Sequence, residues 1–257
     1  MNDQQARPEI ALRVVGPPRW TPEPDPRVPP GDPATLLTID RDGGVSAFSG
    51  KVEYGQGIRN GFAMEIADEL DVPVASVRVV LGDTDLVPQD RGTTGSASTR
   101  TVGIQLRRAA ATARRALMDL ASTKLEAPAE TLTTRDGRVV VSDDGPGADY
   151  AELLSGHTLT LDVPELVETK RPEDFNLMGL PARRVDALSR VTGAAIYSQD
   201  VVVPGMLYGK VLRPPTYGAR LQQIDTARAE RVKGVVSVVR DGDFVGVVAE
   251  REDAAEY

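Results

Sequence analysis

Apolar positions along this chain recur with two periods, and each period predicts a set of elements. Leu36 to Ile39 and Val45 to Val52 read as two strands, with Arg41-Asp42-Gly43-Gly44 as the turn between them. Ile58, Phe62, Ile66, Ala67 and Leu70 then repeat at helical spacing, and Asp71-Val72-Pro73 ends that helix. Val77, Val79 and Leu81 alternate as a strand. A longer helix is expected from Thr99 to Leu125, buried through Leu106, Ala109, Ala110, Ala113, Leu117, Leu120 and Ala121, with Arg107, Arg108, Arg114 and Arg115 mostly on its other faces. Thr131 to Ser142, with Asp136-Gly137 inside, reads as a hairpin.

The flanks have a different texture. Residues 1–34 carry Pro17-Pro18, Pro22, Pro24, Pro26, Pro29-Pro30 and Pro33, and read as an extended arm outside the core. Residues 143–182 hold Gly and Pro breaks and many acids, which predicts a linker with one short helix near Tyr150 to Leu154. From residue 183 onward short Val-rich strands are expected at Ala194 to Tyr197, Met206 to Leu212, Val235 to Val239 and Phe244 to Val248, with a small helix over Thr226 to Val232. The fold class is therefore α+β, in four segments: arm 1–34, first unit 35–142, linker 143–182 and second unit 183–257.

Composition narrows the chemistry. Among 257 residues the aromatic share is 4%, too little for a base-stacking platform, and the net charge of −8 disfavours nucleic acid and anionic membranes as partners. The chain has no cysteine, so it holds no Fe–S cluster, disulfide or thiolate metal site of its own. Its single histidine, His157, lies in a Gly/Ser-flanked stretch and reads as a surface residue. No apolar run reaches the length of a membrane span, and the N-terminus lacks a basic region followed by an apolar one, so the chain reads as cytoplasmic.

Two polar loops each precede a helix: Gly55-Gln56-Gly57, and Gly92-Thr93-Thr94-Gly95-Ser96-Ala97-Ser98-Thr99. A helix start leaves backbone N–H groups free and favours negative charge, and hydroxyls add donors, so the second loop suits a phosphate. Gln56 offers both a donor and an acceptor to the polar edge of a ligand. Taken alone, each loop is more simply a cap and a turn; neither has the P-loop or dinucleotide-fold glycine spacing. The arginine pairs read as a solvated face or a subunit contact. Asp83, Asp85 and Asp90 lack the spacing of a metal loop. No catalytic residue and no metal ligand is identified.

Three blocks then carry a resemblance. Lys51-Val52-Glu53-Tyr54-Gly55-Gln56-Gly57-Ile58-Arg59, Ala67-Asp68-Glu69-Leu70-Asp71-Val72-Pro73 and Val77-Arg78-Val79-Val80-Leu81-Gly82-Asp83-Thr84 resemble the molybdopterin-binding large subunit of the xanthine dehydrogenase/aldehyde oxidase family. Arg184-Val185-Asp186, Arg190 to Tyr197, Val203 to Pro215 and Gly242 to Arg251 resemble its a/b hammerhead domain. With the Gly-Gln-Gly block ahead of the hammerhead, the order is similar to the nicotinate dehydrogenase and isoquinoline oxidoreductase branch.

That resemblance implies a partial molybdopterin-binding domain followed by an incomplete a/b hammerhead domain. It implies a molybdenum–molybdopterin cytosine dinucleotide cofactor, hydroxylation of N-heterocycles or aldehydes with water as oxygen source, and electrons passing to a separate [2Fe–2S] small subunit. Residue by residue, Gln56 matches the glutamine that contacts the cofactor, Gly55 and Gly57 shape its turn, and Ser96 and Ser98 match the serines that meet the dinucleotide. Tyr54 stands where the family commonly has Met or Leu. The family's catalytic glutamate lies beyond the hammerhead, and no Glu of this chain matches it. The expectation is a truncated product, split-gene half or fragment that needs the remainder of the large subunit, holds cofactor only in the complete assembly, and on its own exposes unpaired edges and apolar faces. The alternatives are a non-catalytic remnant or assembly module that keeps the fold, and an unrelated phosphate-binding protein using the Gly92–Thr99 loop.

Overall fold

The computed structural model describes residues 9–16, 34–90, 92–142 and 145–256. The chain divides into two compact units, Met1–Leu188 and Ser189–Tyr257.

The first unit is built on a five-stranded sheet. Its strands are β1 (Ile10–Gly16), β2 (Ala34–Asp40), β3 (Val45–Ser49), β4 (Val77–Leu81) and a late strand reached below. As expected, Arg41 to Gly44 turns β2 back on β3, which are antiparallel. Helix α1 (Ile58–Leu70) joins β3 to β4, and these two run parallel. A π-helical turn, Ser98–Gly103, leads into α2 (Ile104–Leu125). A small antiparallel sheet follows, of β5 (Thr133–Arg135), β6 (Arg138–Val140) and β7 (Gly147–Asp149), with α3 (Tyr150–Leu153). Then β8 (Leu159–Asp162) completes the main sheet in the order β4-β3-β2-β1-β8. Phe62, Ile66 and Leu70 of α1 and Leu106, Ala110, Ala113 and Leu117 of α2 are fully buried with Leu12, Leu37 and Ile39 in one core. The alanines of α2 let the two helices and the sheet approach closely. Among the described residues no helix is long and apolar enough to cross a membrane.

Two segments differ from the sequence expectation. Ile10–Gly16, read as part of the arm, is an interior strand paired with β2 on one side and β8 on the other. It is covered on both faces, so Ala11, Leu12, Val14 and Val15 form a near-continuous apolar run with no alternation to flag it, and prolines follow at once. The rest of the expected arm lies outside the described residues. The 143–182 linker contributes β7 and β8 as well as the expected helix.

The remainder of that linker is strapped to α1 and α2 by charge. Glu69, fully buried, lies 3.0 Å from Arg114 and 3.4 Å from Arg107, and accepts the Lys170 N–H. Asp68 accepts the N–H groups of Asn176 and Met178 at 2.8 and 2.9 Å. Asp71, left-handed at the end of α1, pairs with Lys170. Arg107 stacks over Phe175, and Arg108 donates to the carbonyls of Pro164 and Glu165. So Arg107, Arg108 and Arg114 are spent inside the unit, rather than forming the solvated face that is one reading of the sequence.

The second unit has an antiparallel sheet in the order β10-β11-β9, from β9 (Tyr208–Val211), β10 (Val235–Asp241) and β11 (Phe244–Ala249). Helix α4 (Ala187–Val191) crosses the unit boundary, and α5 (Ala227–Glu230) and α6 (Glu252–Glu256) complete the unit. Lys210 of β9 pairs with Glu252 and Glu256 of α6. Ala194 to Tyr197, expected as a strand, is irregular. Ile196, Val202, Leu212 and Val236 are mostly exposed.

Candidate functional site

Parallel pairing of β3 and β4 sets where chemistry can gather. The loop that leaves β3 for α1 and the one that leaves β4 for α2 emerge at the same carboxyl end of the sheet, where α/β folds place ligands. The two polar loops picked out in the sequence are these two loops.

A buried ion pair stitches them together. Lys51 Nζ lies 2.7 Å from Asp90 Oδ1 and donates to the Gly92 carbonyl at 2.8 Å; the side chains are only 6% and 3% exposed. Gly92 N–H donates to the same Asp90 oxygen, and Val52 N–H donates to the Thr93 hydroxyl at 2.8 Å. Gly50 makes room, since a Cβ there would stand 2.5 Å from both Asp90 Cβ and the Pro88 carbonyl oxygen. Asp90 thus belongs with Lys51 and not with Asp83, whose carboxylate accepts the Asp85 N–H.

The Gly-Gln-Gly turn is held from within. Gly55 and Gly57 have φ of 117° and 83°, a region that side chains rarely enter. The Glu53 carboxylate accepts the N–H groups of Gly55 (2.8 Å), Gly57 (2.9 Å) and Arg59 (3.2 Å), and Arg184 lies 3.4 Å away. Burial raises its pKa, but the donors Gly57, Arg59 and Gly55 together with the Arg184 charge outweigh this and hold the carboxyl below its usual value. The donors at the start of α1, read from sequence as open to a ligand, are therefore filled by a carboxylate of the chain itself. Gln56 folds its amide back, accepting the Tyr54 N–H at 2.6 Å and donating to the Val52 carbonyl at 3.0 Å. One amide hydrogen and one lone pair are left over. Tyr54 meets Gln56 through its backbone, and the residue is 72% exposed.

The second loop is different. The residue at the N-cap of the π-helical turn Ser98–Gly103 is Ala97, which makes no side-chain cap; π turns of this kind recur at functional sites. Ser96 is exposed with φ of 52°, and Ser98 is half-buried. Tyr54, Gln56, Ile58, Thr93, Thr94, Ser96, Ser98 and Thr99 line one open cleft of about 390 Å³. Gln56, Ser96 and Ser98 are thus brought together, while Gly55 and Gly57 shape the wall behind Gln56. The lining holds the hydroxyls of three threonines and two serines, an amide and no carboxylate, a donor-rich surface suited to a phosphate-bearing organic ligand. His157 lies elsewhere, exposed, with its carbonyl accepting from Arg41.

Sequence reading gives no role in the site to Lys51, Glu53, Asp90 and Arg184, and counts Thr93 only as one of the loop hydroxyls. Lys51 and Asp90 are 39 positions apart and Arg184 is 129 from Gly55, so no spacing pairs them. Glu53 had a local signal: a carboxylate just ahead of a Gly-x-Gly helix start.

The molybdopterin cofactor-binding domain model matches residues 18–177, and the aldehyde oxidase and xanthine dehydrogenase a/b hammerhead domain model matches residues 192–256. The chain is 40% identical over 230 residues to a nicotinate dehydrogenase subunit of Pseudomonas putida, covering 86% of this chain and 19% of that protein. It is 30% identical over 267 aligned positions to the beta subunit of an isoquinoline 1-oxidoreductase of Brevundimonas diminuta, covering 89% and 34%. A membrane-bound aldehyde dehydrogenase (pyrroloquinoline-quinone) of Gluconacetobacter polyoxogenes is 28% identical over 243 residues, covering 88% and 31%. The chain spans about a third or less of the length of each of these relatives.

Proposed function

This chain belongs to the molybdopterin cofactor-binding domain family, in its nicotinate dehydrogenase and isoquinoline oxidoreductase-like branch, and from that we propose that it forms one wall of a molybdopterin dinucleotide site in a molybdenum hydroxylase. The observation that carries this reading is the cleft itself. Two loops far apart in the chain are locked by Lys51–Asp90 and Val52–Thr93 so that Gln56 faces a set of hydroxyls beside the start of the π-helical turn, whose N-cap Ala97 offers no side-chain cap.

When bound, the cofactor supplies oxidation of a carbon centre at molybdenum, with water as the oxygen source. The residues of this chain bind and orient. Gln56 presents its spare amide hydrogen and lone pair to the pterin edge. Ser96 and Ser98, with the free N–H groups of the π-helical turn, take the dinucleotide phosphates, for which the cytosine form is our assignment. Because Glu53 already fills the start of α1, phosphate goes to the serine loop and the pterin edge to Gln56. We assign no described residue of this chain as the base. That group comes from the remainder of the large subunit, and electrons leave to a [2Fe–2S] small subunit in a cytoplasmic assembly acting on an N-heterocycle or aldehyde.

Co-expression with the remaining large-subunit sequence of such an enzyme and its small subunit tests this. The assembly is expected to contain molybdenum and to release CMP on acid hydrolysis in equal amount, and Gln56→Ala with Ser98→Ala is expected to lower both. An assembled complex without molybdenum would overturn the function. Unchanged molybdenum in the double variant would overturn the role of the cleft.

A further inference from the structure

The Arg184-Val185-Asp186 block belongs, by sequence, with the hammerhead motifs, yet its side chains lie on the Gly-Gln-Gly turn. Arg184 Nη1 donates to the Gly55 carbonyl at 2.7 Å, and Nη2 stands 3.4 Å from Glu53. Asp186 grips the same guanidinium through Nε and Nη2, both at 2.9 Å. Val185 N–H donates to Asn60 Oδ1 on α1 at 3.2 Å, which fixes the segment against the helix that the turn begins. Arg184 also sits 3.7 Å from where a Cβ on Gly57 would be.

With these contacts nearly every polar group on the inner side of the turn has a partner. The Gly55 carbonyl goes to Arg184, and the Gly55 and Gly57 amides go to Glu53. Glu53 is 8% exposed, and the Arg184 charge adds to its three backbone donors in compensating the carboxylate. Lysine lacks the planar fork needed to hold Asp186, Glu53 and a carbonyl at once. Remove the guanidinium, and the Gly55 carbonyl is freed while Glu53 repels Asp186. The two glycines at positive φ then rely on a Glu53 carboxylate that has lost its cationic partner.

We infer that Arg184, oriented by Asp186, is a positioning residue for Gln56: it fixes the Gly-Gln-Gly turn through Gly55 and Glu53, so that the Gln56 amide meets the cofactor in one pose. This rests on the cofactor reading above, and two measurements separate the two claims.

The first is hydrogen–deuterium exchange on the full chain without cofactor. Arg184→Met and Arg184→Lys are expected to speed exchange across residues 53–60 about tenfold, while α2 keeps its protection. Exchange unchanged at 53–60, or raised equally in α2, would overturn the clamp whether or not the cofactor reading holds. The second is a double-mutant cycle on molybdenum retention in the assembled enzyme. Arg184→Met should lower retention about tenfold in the wild-type background and less than about twofold beside Gln56→Ala, because its effect passes through Gln56. Equal losses in both backgrounds would overturn a positioning role. Should Arg184→Met fail to assemble, Asp186→Asn enters the same cycle with the same expected non-additivity. A wild-type assembly without molybdenum would sink the cofactor reading alone, and the exchange result would still decide the clamp.

Discussion

Glu65 makes the stability of the first unit depend on pH. It sits on α1 at 8% exposure, and its Oε2 has no hydrogen-bond partner. That oxygen presses on the π-helical turn, 2.4 Å from where a Cβ on Gly103 would stand. Burial raises its pKa to about 7 from an ordinary 4.5, and the Arg107 charge offsets only part of this. The folded chain therefore binds this proton more tightly than the unfolded chain. The stability this provides is fully present below pH 4.5 and is lost as pH rises through 7. At about 1.36 kcal/mol per pH unit the interval corresponds to about 3 kcal/mol. Glu65→Gln removes the titration. Urea unfolding of both chains from about pH 4.5 to about pH 8.5 is expected to show the variant gaining about 3 kcal/mol on the wild type, mostly between about pH 5 and pH 7. A fixed offset added to that pH-dependent change would reflect only how the amide packs. A difference that does not change with pH would refute the reasoning.

Three further outcomes are expected. Lys51→Met leaves Asp90 charged and buried and should cost about 3–5 kcal/mol in urea unfolding, whereas Lys51→Met with Asp90→Leu should cost less than that single change. Tyr150→Phe removes the 2.6 Å hydrogen bond from a buried hydroxyl to the Leu70 carbonyl, and should cost about 1–2 kcal/mol by thermal unfolding with the fold retained. The exposed Ile196, Val202, Leu212 and Val236 should make the chain by itself associate, read as a sedimentation coefficient that rises with concentration; a chain that stays monomeric as concentration rises would contradict this.

The parts of this fold that were legible in the sequence are those whose pattern is local. The β2–β3 turn, α1 up to Asp71, β4, α2 and the Asp136-Gly137 hairpin each announce themselves through period or turn chemistry over a short stretch of chain. The hidden parts depend on partners far along the chain. Strand β1 is buried on both faces and shows no alternation. Strand β8 does alternate, at Leu159 and Leu161, but a four-residue signal is lost among Gly and acids. The α2 arginines looked solvated because Glu69 and the Lys170 strap are reached only in three dimensions. For the site, glycine and serine positions were readable as loops before helices, and the resemblance gave Gln56, Ser96 and Ser98 their proposed roles. The framework beneath them was not readable. A buried pair such as Lys51–Asp90 looks like two ordinary surface charges until the chain folds, and a helix start looks open until its own Glu53 is found sitting in it.

The place of β1 carries a consequence for how this protein is made. Leu12 pairs with Leu159, so β1 waits for a neighbour encoded far later in its unit. Until β8 emerges from the ribosome, β1 has β2 on one side and nothing on the other, and its apolar residues stay within reach of chaperones or of another chain's edge. A sheet closed by such a distant parallel partner folds slowly, because the large loop must close before the pairing repays it. Output in the cell should then track chaperone supply and translation speed across the codons between β1 and β8 more closely than it tracks the final stability of the fold.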